Sequence, residues 1–357
     1  IEYFFIENDT FFNRDNVYGY GDDACRYSFF NVAVLEMMIK LELYPDIIHT
    51  HDYHTAVLPA LCKYRFNLNE NIARNKHIFT IHNMAYQGWF SKQVLFDFLA
   101  FDYKYFDNGL LRYDNACNFM KIGIECADIV TTVSETYAQE IKTWEGGNGL
   151  DSILSQRAEK LYGIVNGIDT AAWNPETDTK LAVNYNADSV FELKVQNKLA
   201  LQKKLGLKED KDALLIGMVS RLTFQKGAEL LLNTYSKILE KNVQIAILGT
   251  GEDRFESGFR YMEEHNKGKA VYYNGYNDAL AHEFYGGLDI LMMPSLFEPC
   301  GISQLIAVRY GTLPLVRETG GLKDTVEPYN QYYNWGNGFT FDRYDAGLLL
   351  DAINRSK

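Results

Sequence analysis

The sequence predicts an α/β protein built from two parallel-sheet domains. Three observations lead there. Short apolar runs alternate with helix-periodic stretches along most of the chain, the pattern of parallel strands joined by helical crossovers. One polar stretch without periodicity, 170–188 with Asn174-Pro175 inside it, interrupts that alternation and reads as a linker. The length of 357 residues, 47% of them hydrophobic and 14% aromatic, exceeds one small core and favours two domains.

Taken in order, residues 1–6 read as a strand that begins abruptly at Ile1 without an initiating Met, so a piece of a longer protein is expected. A helix from Asp22, a suitable N-cap, to about Glu42 follows and Pro45 closes it. Strands are expected at 47–51, 77–82, 128–133 and 161–165, with helices after His54, from Asn115 to Cys126 and from Ser134 to Thr143. Residues 84–113 are aromatic-rich and irregular, and the glycines of 144–149 predict a flexible loop. Beyond the linker, helices at 189–204, 226–240, 252–265, 278–286 and 301–311 alternate with strands at 213–219, 243–248, 270–274, 289–293 and 313–316, and a short helix starts at Gly321. This pattern gives two Rossmann-like doubly wound halves.

Composition narrows the function classes. A net charge of −12 and a pI near 5.1 argue against a general nucleic-acid or anionic-membrane surface. An anionic small molecule would need a locally basic pocket. Five widely spaced cysteines without a Cys-x-x-Cys read as reduced thiols of a cytoplasmic protein, and no stretch reaches transmembrane length.

The stretch 289–304 carries the densest functional signal. The apolar run Asp289–Met293 reads as a buried strand that Pro294 ends. Gly301 then opens a helical pattern through Ile302, Leu305, Ile306 and Val308. Between them lie Glu298 and Cys300, at the strand end where open α/β sheets bind ligands and where free helix amides suit a phosphate. The bland alternative is that Glu298 only caps the helix. Ser220 to Gly227, directly after strand 213–219, sets Arg221 and Lys226 five residues apart, a pairing suited to a diphosphate. Cations at a helix start oppose its dipole, so without an anion the placement is unfavourable. Gly249-Thr250-Gly251 is a turn through which backbone can approach a ligand, although it lacks the third glycine of a dinucleotide fingerprint. Thr319-Gly320-Gly321 offers further amides for the same anion.

In the first half, His49-Thr50-His51-Asp52-Tyr53-His54 and His82-Asn83 end neighbouring strands and are expected to face one cleft. A zinc site is the sharp alternative, but the histidine order of binuclear zinc hydrolases is not matched and no further ligand set is evident. His49 is expected to pack within its strand. Cys300 is either a nucleophile activated by a helix N-terminus or, with no His or Asn partner readable, a small residue filling a tight turn. Asn166-Gly167 is either a turn or a place where Asn166 binds a sugar hydroxyl.

With these residues assembled, the chain closely resembles the bacterial glycogen synthases and plant starch synthases, retaining glucosyltransferases of the two-domain GT-B fold. The resemblance runs end to end. It rests on Tyr18-Gly-Tyr-Gly-Asp-Asp23, His51-Asp-Tyr-His54, Thr80-Ile-His-Asn83, Asn166-Gly-Ile-Asp169 with Trp173-Asn-Pro175, Ser220 to Gly227, Phe297-Glu-Pro-Cys-Gly301 and Thr319-Gly-Gly321. It implies a glucan-side domain over 1–168 and a nucleotide-sugar domain over 169–357, with the active site in the cleft between them. It further implies glucose transfer from ADP-glucose to the non-reducing end of an α-1,4-glucan without metal or other cofactor, in the bacterial cytoplasm or a plastid.

By the same resemblance Arg221 and Lys226 hold the diphosphate, Glu298 faces the donor glucose, and His82 lies near the anomeric carbon. Substrate contacts fall to Asp52, Tyr53, His54, Asn83 and Asn166, to Tyr276 beside the base, and to Cys300, Gly301, Ile302, Ser303, Thr319, Gly320 and Gly321. The chain departs from the family in three ways. It has no Lys-x-Gly-Gly loop, it stops at Lys357 before an expected crossover helix, and Tyr53 stands where Trp is usual. The first two imply weak or absent activity and poor stability for the chain as given. Two other readings compete: a sucrose- or trehalose-type transferase of the same fold, and an inactive glucan-binding homologue.

Overall fold

The structure, a computed structural model, describes residues 1–357. The chain divides into two compact units, Ile1–Ile164 and Val165–Lys357, a few residues ahead of the expected 168/169 division. Residues 170–188 are no free linker; they belong to the second unit. Trp173 stacks on His282 with ring centroids 3.9 Å apart, and Asp178 Oδ2 accepts from His282 Nδ1 and the Tyr310 hydroxyl at 2.6 Å each. Individual side-chain contacts hold this stretch, which is why it shows no periodicity.

Six strands lie in the first unit: β1 (Ile47–His51), β2 (Lys76–Ile81), β3 (Trp89–Ser91), β4 (Ala116–Asn118), β5 (Ile129–Thr132) and β6 (Leu161–Gly163). Four of them form a parallel sheet in the order β1-β2-β5-β6, while β3 and β4 pair antiparallel. Phe79, Ile81 and Val130 are buried in it, beneath helices contributing Leu61, Phe119 and Ile122. The helix Asp23–Lys40 starts where Asp22 predicts, yet Asp22 makes no side-chain cap and instead bonds Arg14 at 2.9 Å. Residues 1–6 are not a strand; no neighbouring strand pairs with them. Residues 116–118 pair as β4 before Asn118 caps the helix Phe119–Cys126. Thr143 likewise caps a short helix, Trp144–Gly147, in place of the flexible loop.

The second unit holds β7 (Leu214–Val219), β8 (Val243–Gly249), β9 (Ala270–Asn274), β10 (Ile290–Met293), β11 (Leu313–Arg317) and β12 (Phe339–Phe341), all parallel in the order β12-β11-β10-β7-β8-β9. Alternate residues feed two cores. Ile216, Met218, Ile245, Ile247, Ile290 and Met292 join one, and Leu215, Ala246, Leu248 and Leu291 the other. A parallel sheet must be covered on both faces, so its strands read as unbroken apolar runs. Renumbered from β7, the order is that of a doubly wound dinucleotide fold, whose direction of winding reverses between β7 and β10. The expected helix 226–240 is split into Phe224–Lys226, Ala228–Leu232 and Tyr235–Leu239. At the second break Thr234 Oγ1 bonds back to the Leu230 carbonyl at 2.7 Å, a competitor of the helical ladder. The strand β12 and the helix Ala346–Arg355 complete the unit.

Candidate active site

The reversal of winding between β7 and β10 opens a crevice at the strand ends, and Arg221 and Glu298 follow those two strands. A cavity of about 230 Å³ lies there, lined by Ser220, Arg221, Lys226, Ser295 and Ser303 above four apolar strand residues. Lys226 Nζ sits 2.6 Å from Glu298 Oε2, with the two side chains 19% and 8% exposed. The Ser295 hydroxyl donates to the same oxygen at 3.1 Å. Glu298 is therefore no helix cap. Arg221 is exposed and its guanidinium has no partner within the chain, so one of the two predicted cations is free and the other is held.

Close backbone contacts set this geometry. A Cβ on Gly227, at φ +76°, would lie 2.1 Å from the Pro294 carbonyl oxygen, so only glycine lets the Lys226 turn meet the loop after β10. The Leu296 amide donates to the Gln225 carbonyl at 2.8 Å, and Arg317 Nε donates to the Ser295 carbonyl at 2.7 Å. From the other side a Cβ on Gly320 would lie 2.0 Å from the Glu298 carbonyl oxygen and one on Gly321 2.2 Å from that of Cys300. The Gly321 amide donates to the Glu298 and Pro299 carbonyls at 3.2 and 3.1 Å. It is therefore spent on the loop and not offered to an anion, contrary to the sequence reading. Thr319 and Gly320 are buried alongside. Gln225, Ser295 and Arg317 were not singled out by sequence; only the position of Arg317 at a parallel strand's C-terminal end signals it.

Of the other expected donor-side residues, Ser303 lines that cavity, and Cys300, Gly301, Ile302 and Tyr276 do not. Cys300 is buried, and burial pushes its thiol up while the Asn166 amide, which donates to the sulfur, pulls the other way. A thiol so placed is no nucleophile; it fills the turn. Gly301 takes φ +74° and the helix starts two residues later, at Ser303. Ile302 is exposed and Ser303 half-buried. Tyr276, past the end of β9, is 90% exposed. The Gly249–Gly251 turn closes on its own chain: Glu256 accepts from Thr250 Oγ1 and the Gly251 amide at 2.6 and 3.0 Å.

In the first unit the strand ends of β1 and β2 bring Asp52 and His82 together. Asp52 adopts φ +54°, an uncommon conformation for a residue with a Cβ, and its Oδ1 accepts the His82 amide at 2.8 Å. His51 Nδ1 lies 3.0 Å from His82 Nε2, so one ring donates and the other accepts. Burial, then the neighbouring His49 and His82, hold His51 below its usual pKa. His49 is not packed within its strand: β1 is an edge strand, and the exposed ring bonds the Thr80 hydroxyl at 2.6 Å. Asn83 is half-buried, its Oδ1 accepting the Ala85 amide at 2.9 Å. No group of three or more His, Cys, Asp or Glu is placed to hold a metal ion.

Tyr53 and His54 pack into an aromatic cluster beside the turn at Asp52. Tyr53 is buried and meets Tyr27 edge-on at 5.6 Å. The His54 ring lies 3.9 Å from Tyr53 and 4.5 Å from Tyr27, with Nε2 buried. Both side chains pack beside the turn that carries Asp52, and half-buried His54 also lines a cavity of about 320 Å³ with Arg14, Arg26 and Tyr27. The helix starting at Asp52 rotates them inward, a consequence no strand-based pattern anticipates.

Residues 1–156 match the family described as starch synthase catalytic domain, and residues 200–356 match glycosyl transferases group 1. The glycogen synthase of Clostridioides difficile strain 630 is 47% identical over 360 residues, covering 100% of this chain and 75% of that protein. That of Caldicellulosiruptor saccharolyticus is 47% identical over 353 residues, covering 99% and 74%. The catalytic domain of starch synthase IV from Arabidopsis thaliana, solved bound to ADP and acarbose, superposes with a TM-score of 0.88 at 37% identity, covering 96% of this chain and 71% of that one. Sucrose-phosphate synthase from Thermosynechococcus elongatus shares the fold alone, with a TM-score of 0.57 at 18% identity over 92% of this chain and 68% of that one. At these identities over almost the whole chain, it belongs to the glycogen and starch synthase family of GT-B glucosyltransferases.

Proposed function

We propose that this family member takes its glucosyl group from ADP-glucose and adds it to the non-reducing end of an α-1,4-glucan, with retention of configuration and without metal. The observation that carries the reading is the pairing of Lys226 with Glu298 beside the unpaired Arg221 at the winding reversal. A pure glucan binder has no use for a leaving-group clamp. The ADP seen on the Arabidopsis relative supports the choice of base, and Tyr276 is assigned to it.

On this reading the incoming diphosphate competes with Glu298 for Lys226 and adds Arg221. The carboxylate is thereby released to orient glucose hydroxyls. As the bond from the anomeric carbon to phosphate oxygen breaks, negative charge grows on the diphosphate, and the two cations stabilise it. The acceptor hydroxyl attacks from the face the diphosphate leaves, and its proton passes to the departing phosphate. A double-displacement alternative needs two carboxyl groups about 5 Å apart, and one carboxylate, that of Glu298, bonds the residues lining this cavity. In the first unit, His82 is assigned to the sugar near the anomeric carbon, held through its amide by Asp52. No helix is long and apolar enough to cross a membrane, and a cytoplasmic setting is part of the proposal.

The test is incorporation of labelled glucose into glycogen from ADP-glucose and from UDP-glucose, by the full-length protein and its Glu298→Ala variant. ADP-glucose should be the better donor, and the variant should lose turnover far more than glucan binding. Preference for UDP-glucose refutes the donor assignment. A glucosyl adduct trapped on Glu298 or Asp52 refutes same-face attack.

A further inference from the structure

We propose that the loop 328–337 is a glucan-binding platform separate from the transfer site, stacking glucosyl rings of a long α-1,4-glucan. An open cavity of about 900 Å³ is lined by Tyr329, Tyr332, Tyr333 and Trp335 together with polar Gln331 and Glu327. It shares no residue with the cavity at Arg221 and Lys226. The size is at the upper end of small-ligand sites. Tyr332, Tyr333 and Trp335 are 85%, 82% and 69% exposed, a costly display of aromatic surface in one place, and such a patch marks an interaction site.

The loop is built to hold these rings outward. The Tyr329 amide donates to the Gly338 carbonyl at 2.8 Å and the Asn330 amide to the Trp335 carbonyl at 2.7 Å, closing the loop's base. Asn330 Oδ1 accepts the amides of Tyr332 and Tyr333 at 2.9 and 3.3 Å. The Tyr329 hydroxyl donates to Asn334 Oδ1 at 3.1 Å. Gly336 takes φ +122°, and a Cβ there would lie 2.5 Å from the Tyr329 backbone. The aromatic display is thus fixed by the loop's own backbone.

Composition selects the occupant. Residues 328–337 contain no Leu, Ile, Val or Met, so the side-chain apolar surface on display comes chiefly from flat rings. They combine flat rings carrying a polar edge with carboxamides, and Gln331 and Glu327 have no side-chain partner within the chain. A glucosyl unit presents the matching surface, an apolar face of C–H groups rimmed by hydroxyls. Aromatic rings with one apolar and one polar aspect suit that mixture. This inference rests on a glucan being the acceptor. A second hold on the same polymer would raise the local concentration of chain ends at the transfer site.

The test is affinity electrophoresis of the full-length protein through gels containing glycogen, alongside transfer to a short maltooligosaccharide. The Tyr332→Ala/Trp335→Ala variant should bind glycogen about ten-fold more weakly, as two stacking contacts predict, with transfer to the short acceptor within about two-fold of wild type. Tyr332→Phe/Trp335→Phe should restore retention, which separates stacking from misfolding. Glu298→Gln should do the reverse of the alanine variant, losing transfer and keeping retention, so failure of the catalytic reading is visible separately. Unchanged retention in the alanine variant overturns the proposal. So does loss of self-association by that variant without loss of retention, which would make the loop a protein contact.

Discussion

Replacing Lys226 by methionine removes the charge and keeps most of the side-chain volume, which isolates the ion pair with Glu298. With Nζ 2.6 Å from Oε2, the gross attraction is roughly 6 kcal/mol at an effective dielectric near 20. In the intact pair desolvation cancels much of it. In Lys226→Met the attraction goes while the carboxylate stays buried, with only the Ser295 hydroxyl to satisfy it. Breaking a buried pair from one side costs roughly 3–5 kcal/mol; the partial exposure of Lys226 and the retained hydroxyl set the expectation at about 3 kcal/mol. Glu298→Gln should cost only about 1 kcal/mol, because the more exposed ammonium can turn to water. The double variant should then cost well under the sum, leaving a coupling of about 2 kcal/mol. Urea unfolding followed by tryptophan fluorescence reads these values, fitted to two transitions because the two units need not melt together. Calorimetric titration with ADP reads the functional side. Lys226→Met should weaken ADP by about ten-fold or more, as loss of a charged phosphate contact predicts. Glu298→Gln, which frees the ammonium, should not weaken it. Additive stabilities, or weaker ADP binding by Glu298→Gln, would refute the idea that the carboxylate and the diphosphate share one cation.

Two further outcomes follow from residues away from that pair. His77 is fully buried with neither ring nitrogen hydrogen-bonded, and burial lowers its pKa from 6.5 to about 4. The unfolded chain therefore binds a proton that the folded one refuses, so stability is complete above about pH 6.5 and falls by up to about 3 kcal/mol on acidification towards pH 4. In His77→Leu this acid-side slope should flatten in urea titrations at stepped pH, and an unchanged slope would assign it elsewhere. Gly321→Ala drives a methyl to 2.2 Å from the Cys300 carbonyl oxygen. The forced shift of the Glu298 loop should cut transfer by about 100-fold, and near-normal kcat in a steady-state assay would show that the loop tolerates the displacement.

Much of this architecture was legible before the structure, because a parallel sheet writes itself into sequence as buried apolar runs. β7 to β11 are all visible that way, and Arg221, Lys226 and Glu298 stand out as charges stranded at strand ends. The particular pairing of Lys226 with Glu298 was not legible. It joins residues 72 positions apart through the contact of Gly227 with Pro294, a purely tertiary event. The packing of Tyr53 and His54 on Tyr27 was hidden for a related reason: it follows the left-handed turn at Asp52, and local pattern carries no record of that. Residues 1–6 have strand composition without a strand beside them, and propensity alone does not make a sheet. The split of the helix expected at 226–240 depends on the Thr234 hydroxyl choosing a backbone partner, a choice that sequence leaves open.

The near-absolute steric locks at Gly227, Gly320 and Gly321 contrast with Tyr276, which stands almost wholly in solvent. Two glycine segments close on the backbone of the loop that carries Glu298, so a change in any of the three must be matched in the others, and single-step drift there is blocked. The rim around Tyr276 carries no such obligation. On the assignment of that rim to the nucleobase, a lineage can trade one nucleotide for another by substitutions around Tyr276 while the phosphate clamp and the sugar-facing carboxylate stay frozen.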